Sequence, residues 1–243
     1  MVFDDSDDDS SQQQQQPGNG TSSVDQGVSA RLAALGDPLP RLVAFDLDYT
    51  LWPLWVDTHV SGPLKRRGEN INKVHDVHGQ PLSFFPHVPA ILLHLRKKGV
   101  VVAAASRTSA PTVARQALNG LVLFDDEEPA AAVPTPRRSQ TTTQRKTVKA
   151  MSLFNHLEIY PGSKLTHFQS IKANTGVPYD EMVFFDDESR NAEVGNRLGV
   201  HFHLVGHEGL DVNAFETAVR QWRAKRKARE PGQNSNPADE LLR

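Results

Sequence analysis

The sequence predicts an α/β fold, a central parallel sheet with helices on both faces. Two features predict it: short continuous apolar runs, and segments of helical periodicity alternating with them. Leu42-Val43-Ala44-Phe45 reads as a buried strand that stops at Asp46. Residues 88–98 carry Ile91, Leu92 and Leu95 on one stripe and end in basic residues before Gly99, as a helix C-terminus does. Residues 100–105 form the second strand, stopping at Ser106, and 108–118 the next helix. A short third strand over 158–160 precedes Pro161-Gly162-Ser163-Lys164 and a helix over 165–175. The fourth strand, 182–185, ends at Asp186-Asp187 and leads into a helix over 189–198. A fifth strand over 201–205 and a last helix over 212–227 complete the pattern. Residues 74–85 alternate about His78-Gly79 and read as a hairpin.

Composition removes several chemistries. The chain of 243 residues has no cysteine, so it has no disulfide framework, thiolate zinc site or cysteine nucleophile. Lys+Arg number 27 against 29 Asp+Glu, a net charge of -2 that gives no reason to expect nucleic acid or a membrane surface as partner. The basic series Arg220, Arg223, Lys225, Arg226, Lys227, Arg229 reads as a solvated helix end suited to the dipole. No apolar run approaches the ~18 residues of a membrane helix, and the N-terminus is acidic where a signal peptide needs base. The expected location is cytoplasmic, with a nuclear pool left open.

Mean hydropathy of -0.47 suggests that part of the chain stays solvated. Residues 1–37, Asp-rich and then Gln-rich, are expected to be a disordered tail with at most a turn of helix over 28–35. A folded domain over 38–228 is expected to carry a disordered insertion at 125–150 and to be followed by a flexible tail, 229–243.

Asp46, Ser106, Lys164 and Asp186-Asp187 each fall at or just past a predicted strand end, the edge where open α/β sheets bind ligands. In Asp46-Leu47-Asp48-Tyr49-Thr50 two carboxylates stand two residues apart. One carboxylate can attack phosphorus while a second acid protonates the leaving oxygen and later activates water. Clustered carboxylates facing a phosphate need cations, and a hard divalent ion suits oxygen donors. The bland readings are local: caps or turns for the aspartates and Ser106, an ordinary solvated lysine for Lys164. Trp52 and Trp55 either wall the site or pack beneath the loop. His75 and His78 read as hairpin residues, and His201 and His203 as satisfied structural histidines.

FDLDYTLWPLWVDTHV (45–60), AAASRTS (103–109), EIYPGSKLTHF (158–168) and FFDDESRN (184–191) closely resemble the eukaryotic magnesium-dependent phosphatases, a capless branch of the haloacid dehalogenase superfamily. The resemblance spans residues 40–222 apart from the insertion. It implies a Rossmann-like haloacid dehalogenase fold with a small hairpin flap, 74–85, in place of a cap domain. It further implies an Mg2+-dependent phosphomonoester hydrolase acting through an aspartyl-phosphate. Asp46 matches the nucleophile and first metal ligand; Asp48 matches the acid/base and lends its backbone carbonyl to the metal. Ser106, Arg107 and Lys164 match phosphoryl contacts. Asp187 is favoured as the direct metal ligand and Asp186 as its supporting neighbour, a choice the sequence leaves open. The implied substrates are phosphotyrosine and sugar or glycated-amine phosphates, carried by a small molecule or a phosphoprotein, and a monomer is expected. A dehalogenase has no use for Asp48, a phosphotransferase differs in its acceptor, and a noncatalytic binding module built on the basic helix is the alternative outside enzymes.

Overall fold

At the centre of the sheet is β1 (Leu42–Phe45), a computed structural model placing β4 (Val101–Ser106) on one side of it and β8 (Met182–Asp186) on the other, all parallel. The structure describes residues 23–125 and 146–229. The elements preceding β4 are α1 (Ser23–Ala34), the antiparallel pair β2 (Val74–His75) and β3 (Pro81–Leu82), and α2 (Val88–Lys97). After β4 come α3 (Pro111–Gly120), β5 (Val122–Phe124), β6 (Thr147–Lys149), β7 (His156–Ile159) and α4 (Lys164–Thr175). After β8 come α5 (Glu193–Leu198), β9 (His201–Leu204) and α6 (Val212–Arg229).

The parallel sheet has the order β7-β4-β1-β8-β9. The chain moves outward from β1 to β4 and β7, then crosses back to β8 and β9. The switch point therefore lies between β1 and β8, where the strand ends open a crevice. Val43, Phe45, Val102, Ala104, Val183 and Phe185 face the larger core with α2, α3 and α6. Leu42, Ala44, Ala103, Ala105, Met182 and Phe184 face a second core with α4 and α5. Both faces are covered, which is why the strands read as unbroken apolar runs.

Several expectations need correction. Residues 23–34 of the expected disordered tail form α1, whose Val28 and Leu32 enter the core with Leu35 just beyond. The docking is tertiary: Arg31 bonds Glu216 and Asn213, and Arg223 donates to the carbonyls of Leu35, Gly36 and Pro38. At the solvated end of α6, Arg226 and Arg229 form surface pairs with Glu181 and Asp180. The expected insertion also reaches too far, because β6 pairs with β5 in antiparallel register, Phe124 opposite Thr147. Residues 1–22, 126–145 and 230–243, on which the rest of the expected tails and insertion fall, lie outside the described residues. The helix expected over 108–118 is α3, which begins at Pro111, whose fixed φ suits a first helical turn. A 3-10 turn over Ser189–Ala192 precedes α5, shortening the helix expected over 189–198. No described helix is long and apolar enough to cross a membrane.

Candidate active site

Asp46 follows β1 directly and its N–H donates to the Phe185 carbonyl at 2.9 Å, continuing the ladder to β8. Lys164 opens α4 behind Ser163, whose side chain caps the helix by accepting from the Leu165 N–H. A helix N-terminus disfavours a cation, so helix stability does not account for this lysine. It is 1% exposed, which overturns the solvated reading. Its ammonium donates to Asp46 Oδ1 at 2.6 Å, lies 2.9 Å from Asp186 Oδ2 and donates to the Ala105 carbonyl, using all three N–H bonds. Burial lowers the Lys164 pKa, but Asp46 and Asp186 outweigh it and hold the lysine charged. Burial pushes the Asp46 carboxyl up to about 8 against the pull of Lys164, with Asp186 and Asp48 adding to the rise.

Asp48 sits on a tight turn in which Tyr49 adopts φ 55, a left-handed conformation costly for a bulky side chain. The turn closes with Tyr49 N–H on the Trp52 carbonyl at 2.8 Å. It brings the Trp52 indole Nε1–H to Asp48 Oδ1 at 2.7 Å, and the Val56 N–H reaches the same oxygen at 3.3 Å. Burial raises the Asp48 pKa to about 6, the two donors opposing it and Asp57 and Asp187 adding to it. The two tryptophans part company: Trp52 is fully buried and stacked on Phe84, just beyond β3, whereas Trp55 is 50% exposed against Tyr49 and His59.

Ser106 Oγ accepts from the Thr108 N–H at 3.3 Å, a local turn rather than a cap of α3, whose N-cap is Ala110. Arg107 is exposed at the mouth and reaches Asn191 Oδ1 at 3.5 Å. Asp186 is fully buried and committed to protein donors: Lys164, the Glu188 N–H at 2.8 Å and Asn191 Nδ2. Asp187 is half-buried, its carboxyl raised to about 6 by burial and then by Asp186. The structure thus gathers Asp46, Asp48, Lys164, Asp186 and Asp187 into one interacting group, with Ser106 and Arg107 on the adjoining strand end and loop.

The donor chemistry fits a hard divalent cation. Among the described residues no three His, Asp or Glu side chains converge as a metal cage. Mg2+ does not require one, since it is held by one or two carboxylates with water and substrate oxygens. Asp46, Asp48 and Asp187 are all raised, and Lys164 is the buried cation among them. The group is short of positive charge. Sequence reasoning missed Asn191 as a partner of the site, its signal an amide five residues after Asp186, and left Trp52 between wall and packing without reading its bond to Asp48, four residues before it.

The fold and this site define a hydrolase of the haloacid dehalogenase type. The acid phosphatase family model matches residues 38–225. A HAD-like hydrolase superfamily protein of Schizosaccharomyces pombe is 42% identical over 177 residues, covering 72% of this chain and 92% of the relative. Human magnesium-dependent phosphatase 1 is 43% identical over 162 residues, covering 67% of this chain and 76% of the relative. Among solved structures, a HAD-superfamily hydrolase from Ehrlichia chaffeensis is similar at a TM-score of 0.46 and 11% identity, covering 77% of this chain and 100% of that one. The chain belongs to the acid phosphatase family, within the haloacid dehalogenase superfamily, as the sequence motifs implied.

Proposed function

We propose that this protein is an Mg2+-dependent phosphomonoester hydrolase that forms an aspartyl-phosphate on Asp46. The observation that carries the reading is the pairing of two unlike carboxylates at the end of β1. Asp46 has Oδ1 held by Lys164, leaving Oδ2 as the attacking atom. Asp48 has Oδ1 held by Trp52 and Val56, leaving Oδ2 to carry a proton. Asp46 Oδ2 bonds to phosphorus as the ester P–O bond breaks; that electron pair stays on the leaving oxygen, which takes the Asp48 proton. Asp48, now a carboxylate, takes a proton from water as the water oxygen attacks phosphorus, releasing inorganic phosphate and restoring Asp46.

Ser106 and Arg107 orient the phosphoryl oxygens from the end of β4, and the Lys164 charge offsets that of the incoming phosphate. Asp46, the Asp48 backbone carbonyl and Asp187 are the ligands assigned to Mg2+, because Asp186 is already committed to Lys164 and Asn191. Held there, Mg2+ would supply the positive charge the carboxylate group lacks and would offset the charge of the phosphoryl oxygens. The substrates are phosphotyrosine or sugar and glycated-amine phosphates, with exposed Trp55 and half-buried Tyr49 offering an aromatic surface to the leaving group. A binding module without catalysis is disfavoured because no carboxylate of the set is missing.

The test is phosphate release from p-nitrophenyl phosphate with Mg2+ and with EDTA, for the wild-type protein and Asp46→Asn. Metal-dependent release that the variant lacks is expected; substantial turnover by Asp46→Asn overturns the covalent mechanism.

A further inference from the structure

We infer that Trp52 is a positioning residue for proton donation, its indole N–H fixing Asp48 so that Oδ2 presents the proton to the leaving-group oxygen; this rests on Asp48 being the acid, as proposed above. An indole N–H only donates, so the oxygen it touches must offer a lone pair. Trp52 Nε1 and Val56 N both point at Oδ1, at 2.7 and 3.3 Å, and among the described residues no donor reaches Oδ2. A proton on the Asp48 carboxyl therefore resides on Oδ2. In the transfer it moves from Oδ2 to the ester oxygen while the P–O bond breaks and the Asp46–P bond forms. The Trp52 bond meanwhile strengthens on an oxygen that gains charge, since hydrogen bonds to ionised acceptors are the stronger kind.

Packing explains why the indole cannot drift. The ring is fully buried and stacked on Phe84, centroids 5.9 Å apart and planes 18° from parallel. Its own carbonyl closes the strained turn at Tyr49. A buried indole needs an acceptor for its N–H in any role, and most side-chain hydrogen bonds go to the main chain or to water. Trp222 does this within the same molecule, donating to the Asp180 carbonyl at 2.8 Å. Trp52 spends its N–H on the acid.

The experiment is kcat/KM across a series of aryl phosphates from p-nitrophenyl to phenyl and p-methoxyphenyl, read with Mg2+ for the wild-type protein, Trp52→Phe and Asp48→Asn. kcat/KM reports the step in which the ester oxygen leaves, before the water step. A p-nitrophenolate leaves without a proton, whereas a phenolate of higher basicity needs one. Trp52→Phe is expected to lose roughly 10- to 100-fold on phenyl phosphate and under about threefold on p-nitrophenyl phosphate, a part of the range that general acid catalysis supplies. An equal loss across the series, or none, overturns the inference. Asp48→Asn separates the two failures. If it steepens the dependence on leaving group and Trp52→Phe does not, the role of Trp52 falls alone; if neither steepens it, the acid assignment falls with it. Should Trp52→Phe not fold, β-(3-benzothienyl)alanine at position 52 keeps the ring shape and removes only the N–H, and the same outcomes decide.

Discussion

Asn191 Nδ2 lies 2.9 Å from each carboxylate oxygen of Asp186, fixing a side chain that in turn pairs with Lys164. Its own Oδ1 accepts from Arg107, so one buried amide joins the mouth of the site to the ion pair behind Asp46. Asn191→Ala removes both links. Supporting partners of this kind change activity by roughly 10- to 100-fold in metal sites. A fall of that size in kcat/KM is expected, with Asn191→Asp worse because it sets a like charge beside Asp186; steady-state phosphate release checks both.

Lys164→Met tests the ion pair itself. The substitution fills the space but leaves Asp46 and Asp186 buried without their cation. Breaking one side of a buried pair costs about 3–5 kcal/mol, so metal-free urea melts are expected to show a loss of that order. Phosphate release is expected to fall by roughly 100-fold or more, as when a positioned electrostatic group is removed. Unchanged stability shows that the carboxylates neutralise themselves without Lys164.

The strands and their polar endings were legible because each apolar run is buried on both faces, so a carboxylate such as Asp46 or Asp186 where a run stops stands out against it. Lys164 was legible as a position but not as a buried group, since its burial comes from Ala105 and two aspartates distant in sequence. Trp52 looked equally like wall or packing because a sequence does not show where an indole N–H points. The helix α1 was hidden for another reason. Its segment is weakly apolar, and its stability comes from docking Val28 and Leu32 in the core, with Glu216 and Asn213 of α6 bonding Arg31, which no local pattern reveals.

The β5–β6 pair sets where the chain between them is dispensable. Asp125 N–H bonds the Lys146 carbonyl at 2.8 Å, so the two ends already stand at hairpin distance. Replacing residues 126–145 with an Asn-Gly turn is expected to leave kcat/KM within about twofold, since the pair is separate from the sheet that carries the site. Extending the deletion through residue 148 removes the partner of Leu123 and is expected to cost about 1–3 kcal/mol. Activity and thermal melts on the two deletions check the boundary, and a large loss of rate from the shorter one links the segment to the site.

Stability against pH reports the burial of the clustered carboxylates. Burial first, then neighbouring carboxylates, raises Asp46 to about 8 and Asp187 to about 6; burial likewise raises Asp48 to about 6, all from an ordinary 3.8. A raised carboxyl binds its proton more tightly in the folded state. Its contribution is complete below the unfolded value and is lost as pH rises through the folded one. His167 and His201 act in the opposite sense. Burial lowers both to about 4, the Gln221 side chain opposing the fall at His201, and among the described residues neither His201 ring nitrogen closes a hydrogen bond, so the satisfied histidine expected there is not found. Their contribution is present above the ordinary 6.5 and lost as pH falls toward 4. The two effects oppose each other between 4 and 6.5. Above 6.5 only the carboxylates act, chiefly Asp46, so the metal-free protein is expected to lose stability from there toward pH 8. Mg2+ competes with the proton for these carboxylates, and binding to the folded state alone stabilises it. The rise in melting temperature produced by Mg2+ is therefore expected to be small near pH 5 and to grow toward pH 8, and to vanish in Asp46→Asn. Thermal melts with and without Mg2+ across that range decide it: an Mg2+ effect that does not change with pH places the ion away from Asp46.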